Sequence, residues 1–408
     1  MHLPDFGWES IIVTVHHRYY EELLDWNLTK LLPSNLRIET VGALPTKPFR
    51  LVGDMGIRGF FPLYRRIRQL IRKEKIDFLY IPIPSNYAAL LGRLIHSRTG
   101  IPYGIDYIDP WVHSWPGTEI KGSKAWWSMK LSEWLEPYAV GKAALITGVA
   151  PGYYEAVLDR NPHLLLTCTT AAMPYGGEKN DHMGIEALAI EPYLFQKGKK
   201  QDFVYAGAML PKAFTPLRML FEAIQAEPHL YENCRFHFIG TGKSPNDPQG
   251  FNIRPIAEEF GLWQKIIFEY PKRIPYLDVL VHLKAADAAF VLGSTEPHYT
   301  PSKVYQAVLS GKPVLAILHE ASTACDIIRS TNAGLVISFA GEQDTLRIKD
   351  RFSIAFRDFQ QFLTNFTPSQ VDYTRFDNYS AQSVTKILAD NLDKAVITNS
   401  HPQQLRHG

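Results

Sequence analysis

Short β-rich segments alternating with longer helical patterns, twice in succession, constrain this chain more than any other feature. That alternation builds parallel sheets covered by helices. In the first half Ser10–Val15 reads as a buried strand, and Arg37–Val41, Phe78–Ile83, Ile101–Tyr107 and Ala143–Thr147 follow it. Helical stretches over 59–74, 86–98, 123–141 and 152–159 lie among them. The first sets Phe60, Leu63, Tyr64, Ile67, Leu70 and Ile71 on one stripe at helical spacing. From Met173-Pro174-Tyr175-Gly176-Gly177 to Gly198-Lys199-Lys200 the pattern gives way to turn residues, as expected of a connection between lobes. It then restarts, with strands expected at Phe203–Ala206, Arg235–Ile239, Ile266–Glu269, Ala288–Leu292, Val314–Ile317 and Leu335–Ser338. Helical segments near 215–226, 252–261, 275–285, 302–310 and 321–330 separate these strands, which makes a doubly wound sheet whose ligands bind beyond the carboxyl ends of its strands. Helices near 345–364 and 380–395 close the pattern, and the polar tail Asn399–Gly408 is expected to be disordered. The expected division is a first lobe over 1–175, a connection over 176–200, a second lobe over 201–378, a helix over 379–396 and a tail over 397–408.

A length of 408 residues exceeds what one core usually organises, and a 46% hydrophobic composition gives each lobe enough to bury. Lys and Arg number 43 against 41 Asp and Glu, a near balance that argues against a general nucleic-acid binder. The three cysteines, Cys168, Cys234 and Cys325, are scattered and odd in number, so neither a disulfide framework nor a metal cluster follows from them. No apolar run reaches the length that spans a bilayer, and Met1-His2-Leu3-Pro4-Asp5 lacks a basic and apolar leader. The expected location is cytoplasmic, with membrane contact only at the surface.

One segment carries most of the chemistry. Ala286-Asp287-Ala288-Ala289-Phe290-Val291-Leu292 reads as a strand, and after a loop Thr300-Pro301-Ser302-Lys303-Val304-Tyr305-Gln306-Ala307-Val308-Leu309-Ser310-Gly311-Lys312-Pro313 reads as a helix with its terminators. Pro301 and Ser302 suit a helix start, whose exposed N–H groups form an anion site. Lys303 is a cation in the first turn, where it opposes the helix dipole unless an anion such as a diphosphate is bound. Gly311 suits the C-cap. The alternative is an ordinary capped helix with a surface lysine.

This run resembles the donor-site helix of family 4 glycosyltransferases, in which a Pro-Ser-Lys-apolar-aromatic-Glu pattern precedes Ser/Ala-Gly-Lys-Pro-Val. Other segments are similar to the family in the right order. Phe203-Val204-Tyr205-Ala206-Gly207 resembles the strand and glycine turn that open the donor lobe. Phe236-His237-Phe238-Ile239-Gly240-Thr241-Gly242 resembles the next strand and phosphate-side loop. Gly104-Ile105-Asp106-Tyr107-Ile108-Asp109-Pro110-Trp111 resembles an acceptor-side Asp-Pro-Trp motif, and Leu145–Tyr153 the stretch before the lobes part.

The resemblance implies an α/β fold of the GT-B type, two Rossmann-like doubly wound domains facing across a cleft. It implies sugar transfer from a nucleotide-sugar to an acceptor hydroxyl, retaining at the anomeric carbon, in surface glycan or exopolysaccharide assembly. It also implies a donor site at Gly207, Lys212, Gly240, Gly242, Glu296, His298, Pro301, Ser302, Lys303 and Gln306. Lys303 and Asp109 would take the catalytic roles. No cofactor and no metal are expected, because helix N–H groups and cations offset the charge of the leaving diphosphate. The expected partners are the nucleotide-sugar, a glycan or lipid-linked acceptor and no nucleic acid.

Three departures stand out. His298 and Gln306 occupy positions where the family often has glutamates, with Glu296 two residues before the first. Gln306 can still hydrogen-bond a ribose hydroxyl, without the strength of a carboxylate. Ala208 replaces an arginine after the glycine turn, and Lys212 comes one position early, to reach the diphosphate or to remain a surface residue. Family members also open with a strand, a glycine-rich loop and a helix before a segment like Leu3–Glu9; the resemblance thus implies a start codon placed late or a truncated gene, with unpaired strand edges.

Asp109 would bind acceptor hydroxyls or assist proton transfer, or else form a turn before Pro110. His113 and Asp106 are weaker candidates. Two basic stretches, Arg65, Arg66, Arg68, Arg72, Lys73 and Lys75, then Lys121, Lys124, Trp126, Trp127 and Lys130, suit either a solvated helix face or peripheral contact with an anionic membrane at its inner face. Two other readings are a GT-B protein that binds a nucleotide-sugar with weak or no turnover, or partners an active transferase, and a sugar-nucleotide epimerase.

Overall fold

The computed structural model describes residues 1–400, apart from 22–23, 47–52, 84, 113–117, 119, 298 and 300. His113, His298 and Thr300 therefore lie outside the described residues, as does the tail from 401 onward. The chain forms two compact units, one of residues 1–24, 32–175 and 382–408, the other of 25–31 and 176–381.

In the first unit all strands pair in parallel, in two sheets. β1 (Ile11–Val15) pairs with β2 (Arg37–Val41). A second sheet runs in the order β3 (Leu79–Ile83), β4 (Tyr103–Tyr107), β5 (Leu145–Gly148), β6 (Thr169–Ala172). Among the described residues β1 and β3 are each paired on one side only. Helix Phe60–Lys73 joins the two sheets: Ile67, Leu63, Tyr64 and Ile71 pack into the core that holds Ile81, Ile83, Ile105 and Ile146, and Val13 of β1 packs against the same core. Arg37 of β2 donates two hydrogen bonds to Glu74 at 2.6 and 2.8 Å, and Arg66 donates to Glu39 at 2.6 Å. β6 was not expected, since Thr-Thr-Ala-Ala has no apolar signal; its register against β5 defines it. The closing helix, Ala381–Ser400, packs Leu388, Leu392 and Ala395 against Leu3, Trp8, Phe78 and Leu145.

The second unit is one six-stranded parallel sheet in the order β12 (Gly334–Phe339), β11 (Val314–His319), β10 (Ala288–Leu292), β7 (Gln201–Ala206), β8 (Cys234–Ile239), β9 (Ile267–Tyr270). β10 and β11 are buried along their whole length, as continuous apolar runs in a doubly covered sheet should be. One face carries the core built from Phe203, Tyr205, Phe236, Phe238 and Phe290 against Phe352, Phe356 and Phe359 of helix Ile348–Asn365.

Two segments differ from the sequence reading. The stretch expected as a connection holds helix Lys179–Ala187, which lies with the second unit and ties to it through Lys284 Nζ, 2.7 Å from Glu186. Residues 25–31 also lie with the second unit; Asp25 accepts from the Tyr276 backbone at 3.0 Å, and Leu31 fills the space beside Gly184.

Candidate functional site

Strand order in the second unit reverses between β7 and β10, because β7 is followed in space by β8 on one side and by β10 on the other. The carboxyl ends of these two strands are where an open α/β sheet leaves a crevice for a ligand. Two of the expected residues meet there. Lys303, first residue of helix Lys303–Leu309, places Nζ 2.5 Å from the Tyr205 hydroxyl and 4.0 Å from the centre of its ring. Tyr205 is fully buried in β7 and in turn donates to the Ala208 carbonyl at 3.0 Å. The chain turns at Gly207 with φ +128°, and a Cβ there would lie 3.2 Å from Lys303 Cε. The backbone conformation calls for glycine, and a Cβ would also crowd the lysine.

Burial lowers the Lys303 ammonium to about 7, because the low-polarity surroundings penalise the charged form. Burial pushes the Tyr205 phenol far up, so it stays a neutral hydroxyl. The pair therefore offers an amine that a bound anion would hold in its charged form, with no phenolate beside it.

Around this centre the other expected residues have distinct fates. Pro301 is buried and Ser302 exposed, and Ser302 is already helical at φ −55°, ψ −24°. It stands at the N-cap position as expected, but its side chain makes no capping bond. Lys212 is half-exposed and sits 3.5 Å from Glu296, whose carboxylate also accepts from Ser294 Oγ at 3.2 Å. Lys212 and Glu296 thus form a surface ion pair of low intrinsic worth.

Gln306 is one turn further along the helix and its Oε1 lies 2.9 Å from His182 Nε2. His182 is buried, its pKa is lowered by burial, and Nδ1 has no hydrogen-bond partner. A buried lone pair costs less than a buried N–H left unpaired, so the proton belongs on Nε2, donated to Gln306. The Gln306 amide nitrogen is then the end left for other partners.

On the other side of β7, Gly240 and Gly242 follow β8. Their backbone N–H groups are spent, Gly240 on Tyr270 and Gly242 on Pro271, at 2.8 and 3.0 Å. Gly242 is a packing glycine: a Cβ would stand 2.6 Å from the Pro271 carbonyl oxygen. The loop is organised by Glu269, which the sequence did not flag. This buried carboxylate accepts from Thr241 Oγ1 and from the backbone N–H groups of Asn252, Ile253 and Arg254, at 2.8 to 3.0 Å. Arg273, also missed, packs beside Gly240.

In the first unit Asp109 is exposed two residues beyond β4. Asp106 accepts from Thr147 Oγ1 at 2.8 Å in a chain that continues to Tyr80, and burial raises its pKa. This is a cross-strand network that ties β3, β4 and β5. Among the described residues no cluster of His, Cys, Asp or Glu is placed to hold a metal, and no helix is long and apolar enough to cross a membrane.

No protein-family profile matches the chain, and no curated protein sequence does either. Solved structures do. A glycosyltransferase from Rickettsia africae is 13% identical with a TM-score of 0.56, over 97% of this chain and 92% of that one. HepE from Anabaena, solved in complex with UDP-glucose, is 13% identical with a TM-score of 0.55, over 94% of this chain and 99% of that one. Sucrose-phosphate synthase from Thermosynechococcus elongatus is 12% identical with a TM-score of 0.53, over 99% and 90%. The fold is that of the GT-B glycosyltransferases, α/β with two parallel-sheet domains.

Proposed function

We propose that the chain transfers a sugar from a nucleotide-sugar to an acceptor hydroxyl, with retention, in the assembly of a surface glycan or exopolysaccharide. The observation that carries this reading is Lys303, held on Tyr205 against Gly207 at the carboxyl ends of β7 and β10. A diphosphate in that crevice would meet a lysine whose charge costs free energy until the anion arrives. Such a group stabilises the departing nucleoside diphosphate more than the bound donor, which is the requirement for lowering the barrier. The Ser302 hydroxyl and the first N–H groups of the helix would join the lysine there, and so would Lys212 by leaving Glu296. Gln306 would direct its amide nitrogen at a ribose hydroxyl. Asp109 would serve the acceptor. HepE was solved with UDP and with UDP-glucose, which supports a nucleotide-sugar as the donor class.

A second reading, binding of nucleotide-sugar with weak turnover, is favoured by Gln306, which is engaged with His182 where a carboxylate would bind ribose more strongly. Calorimetry with UDP, GDP and ADP, followed by donor-hydrolysis assays with the matching nucleotide-sugars, tests both. Binding with release of nucleoside diphosphate supports the transferase; binding without release supports the second reading. No binding of any nucleotide would sink both.

A further inference from the structure

Helix Lys124–Val140 of the first unit carries an apolar stripe on its exposed side as well as a buried face. Its buried residues are Ser132, Glu136, Ala139 and Val140, and Glu136 is ion-paired with Arg160 at 2.7 Å. Four of its large apolar residues point outward: Trp127, Leu131, Trp134 and Tyr138, at spacings of four, three and four, are 62%, 42%, 74% and 51% exposed, while Leu135 packs against the core. A helix that served only its own core would leave polar residues on that exposed side. Contiguous apolar surface of this kind marks an interaction site.

The stripe continues onto two neighbouring helices. Trp134 and Tyr138 line an open apolar pocket of about 560 Å³ together with Leu135, Phe60 of helix Phe60–Lys73, and Leu90 and Leu94 of helix Ala89–Thr99. Phe61, next to Phe60, is 71% exposed.

Charge identifies the occupant. These three helices contain Arg65, Arg66, Arg68, Arg72, Lys73, Arg93, Arg98, Lys124 and Lys130, against two acids, Glu133 and Glu136. Glu136 is paired inside with Arg160, and Glu133 is paired with Lys130 at 2.6 Å. Arg65, Arg68 and Arg72 follow exposed Phe61 along one helix face, and the Arg93 guanidinium lies 5.7 Å from the Tyr138 ring centre. A second copy of this chain would bring like charge against like charge. An anionic lipid surface offers hydrocarbon to the rings and the pocket, and headgroups to the arginines and lysines.

We propose that this face docks peripherally on an anionic lipid bilayer, with Trp127, Trp134 and Phe61 entering the interface and the pocket receiving hydrocarbon. The proposal is independent of sugar transfer. It extends the basic stretches visible in the sequence by the apolar stripe and pocket, which only the fold assembles. No spanning helix is involved.

The full chain is floated with vesicles of phosphatidylcholine alone and with about one-third phosphatidylglycerol, at low and physiological salt. Co-flotation with the anionic vesicles only, weakened by salt, is expected. Trp127→Ala with Trp134→Ala should lower the partition coefficient about tenfold or more through lost ring insertion. Arg65→Glu with Arg72→Glu should abolish the preference for anionic lipid. All four residues are exposed, and thermal melting checks that the variants fold. Quenching of tryptophan fluorescence by brominated lipid in the parent, and its loss in the Trp127/Trp134 variant, reads insertion directly. Failure of the parent to float, or unchanged flotation of the tryptophan variant, overturns the proposal. So does a dimer by light scattering that the tryptophan variant dissociates, which would assign the face to self-association.

Discussion

Binding of a nucleoside diphosphate at Lys303 should take up a proton. Burial holds this ammonium at about 7 in the unliganded chain. At pH 8 about one molecule in eleven then carries the charge. A diphosphate within reach of Nζ restores the ordinary lysine value, so each binding event at pH 8 should draw about 0.9 proton from the buffer. Affinity follows by linkage: above pH 7 it should fall toward tenfold per pH unit, about fiftyfold in all between pH 7 and pH 9. The nucleotide's own last phosphate ionisation, near about 6, lies below this window and leaves the slope alone. Calorimetry at pH 8 in two buffers of different ionisation enthalpy measures the proton count, and titrations at pH 7, 8 and 9 measure the slope. Lys303→Met should lose both the proton uptake and most of the affinity. Its unliganded form should melt higher, because it removes a lysine whose protonation burial opposes. The sign agrees: a lysine with a lowered folded value costs stability at neutral pH and costs less as pH rises toward its unfolded value. Tight binding that is flat from pH 7 to pH 9 with no proton uptake would refute the reasoning.

Gly207→Ala should reduce diphosphate affinity at least about tenfold and cost about 1–3 kcal/mol of stability, since its φ strains any other residue and a Cβ would push the Lys303 side chain aside; denaturant titration and calorimetry check it. Glu269→Ala should cost about 3–5 kcal/mol, because four donors lose one buried carboxylate acceptor, and protease sensitivity should appear within 240–254. Gln306→Glu should raise affinity for a ribonucleoside diphosphate over its 2′-deoxy counterpart, and an unchanged ratio would show that this side chain does not meet the ribose. Burial lowers the pKa of His182, His237 and His282, so their stabilisation is complete above the unfolded value of about 6.5 and is lost as pH falls below it. His282 Nε2 accepts from the Tyr193 and Leu194 N–H groups, so His282→Gln, which keeps an acceptor without a titration, should flatten the melting-temperature slope between pH 7 and pH 5.

Most strands were legible because their burial is written into continuous apolar runs. Ala288–Leu292 is found where expected, and Val314–His319 runs two residues further than expected; Arg37–Val41 is also found in place, though its Arg-Ile-Glu-Thr-Val is no apolar run and none of it is buried. Thr169–Ala172 was not legible, since only pairing with β5 makes it a strand. Helix Lys179–Ala187 was hidden for a related reason: Lys-Asn-Asp-His-Met-Gly-Ile-Glu-Ala has little periodicity, and contacts of His182 and Glu186 with residues about a hundred positions away hold it. In the site, Lys303 could be nominated by its place in a helix start, and Gly207 by its turn. Tyr205, Glu269 and His182 could not, because their roles are distances to residues far away in the chain. Gly242 shows the opposite failure, where a motif glycine serves packing against Pro271.

The separation of β1 and β2 from β3–β6 has a dynamic consequence. Two strands alone are marginal in water, so this pair depends on helix Phe60–Lys73 and on the Arg37–Glu74 and Arg66–Glu39 bridges. Backbone amides of 11–15 and 37–41 should therefore exchange with solvent together with those of 60–73, as one cooperative opening unit. The four-stranded sheet, with its own Tyr80–Thr147–Asp106 cross-strand chain, should stay closed to a higher free energy. One domain core would then carry two tiers of protection.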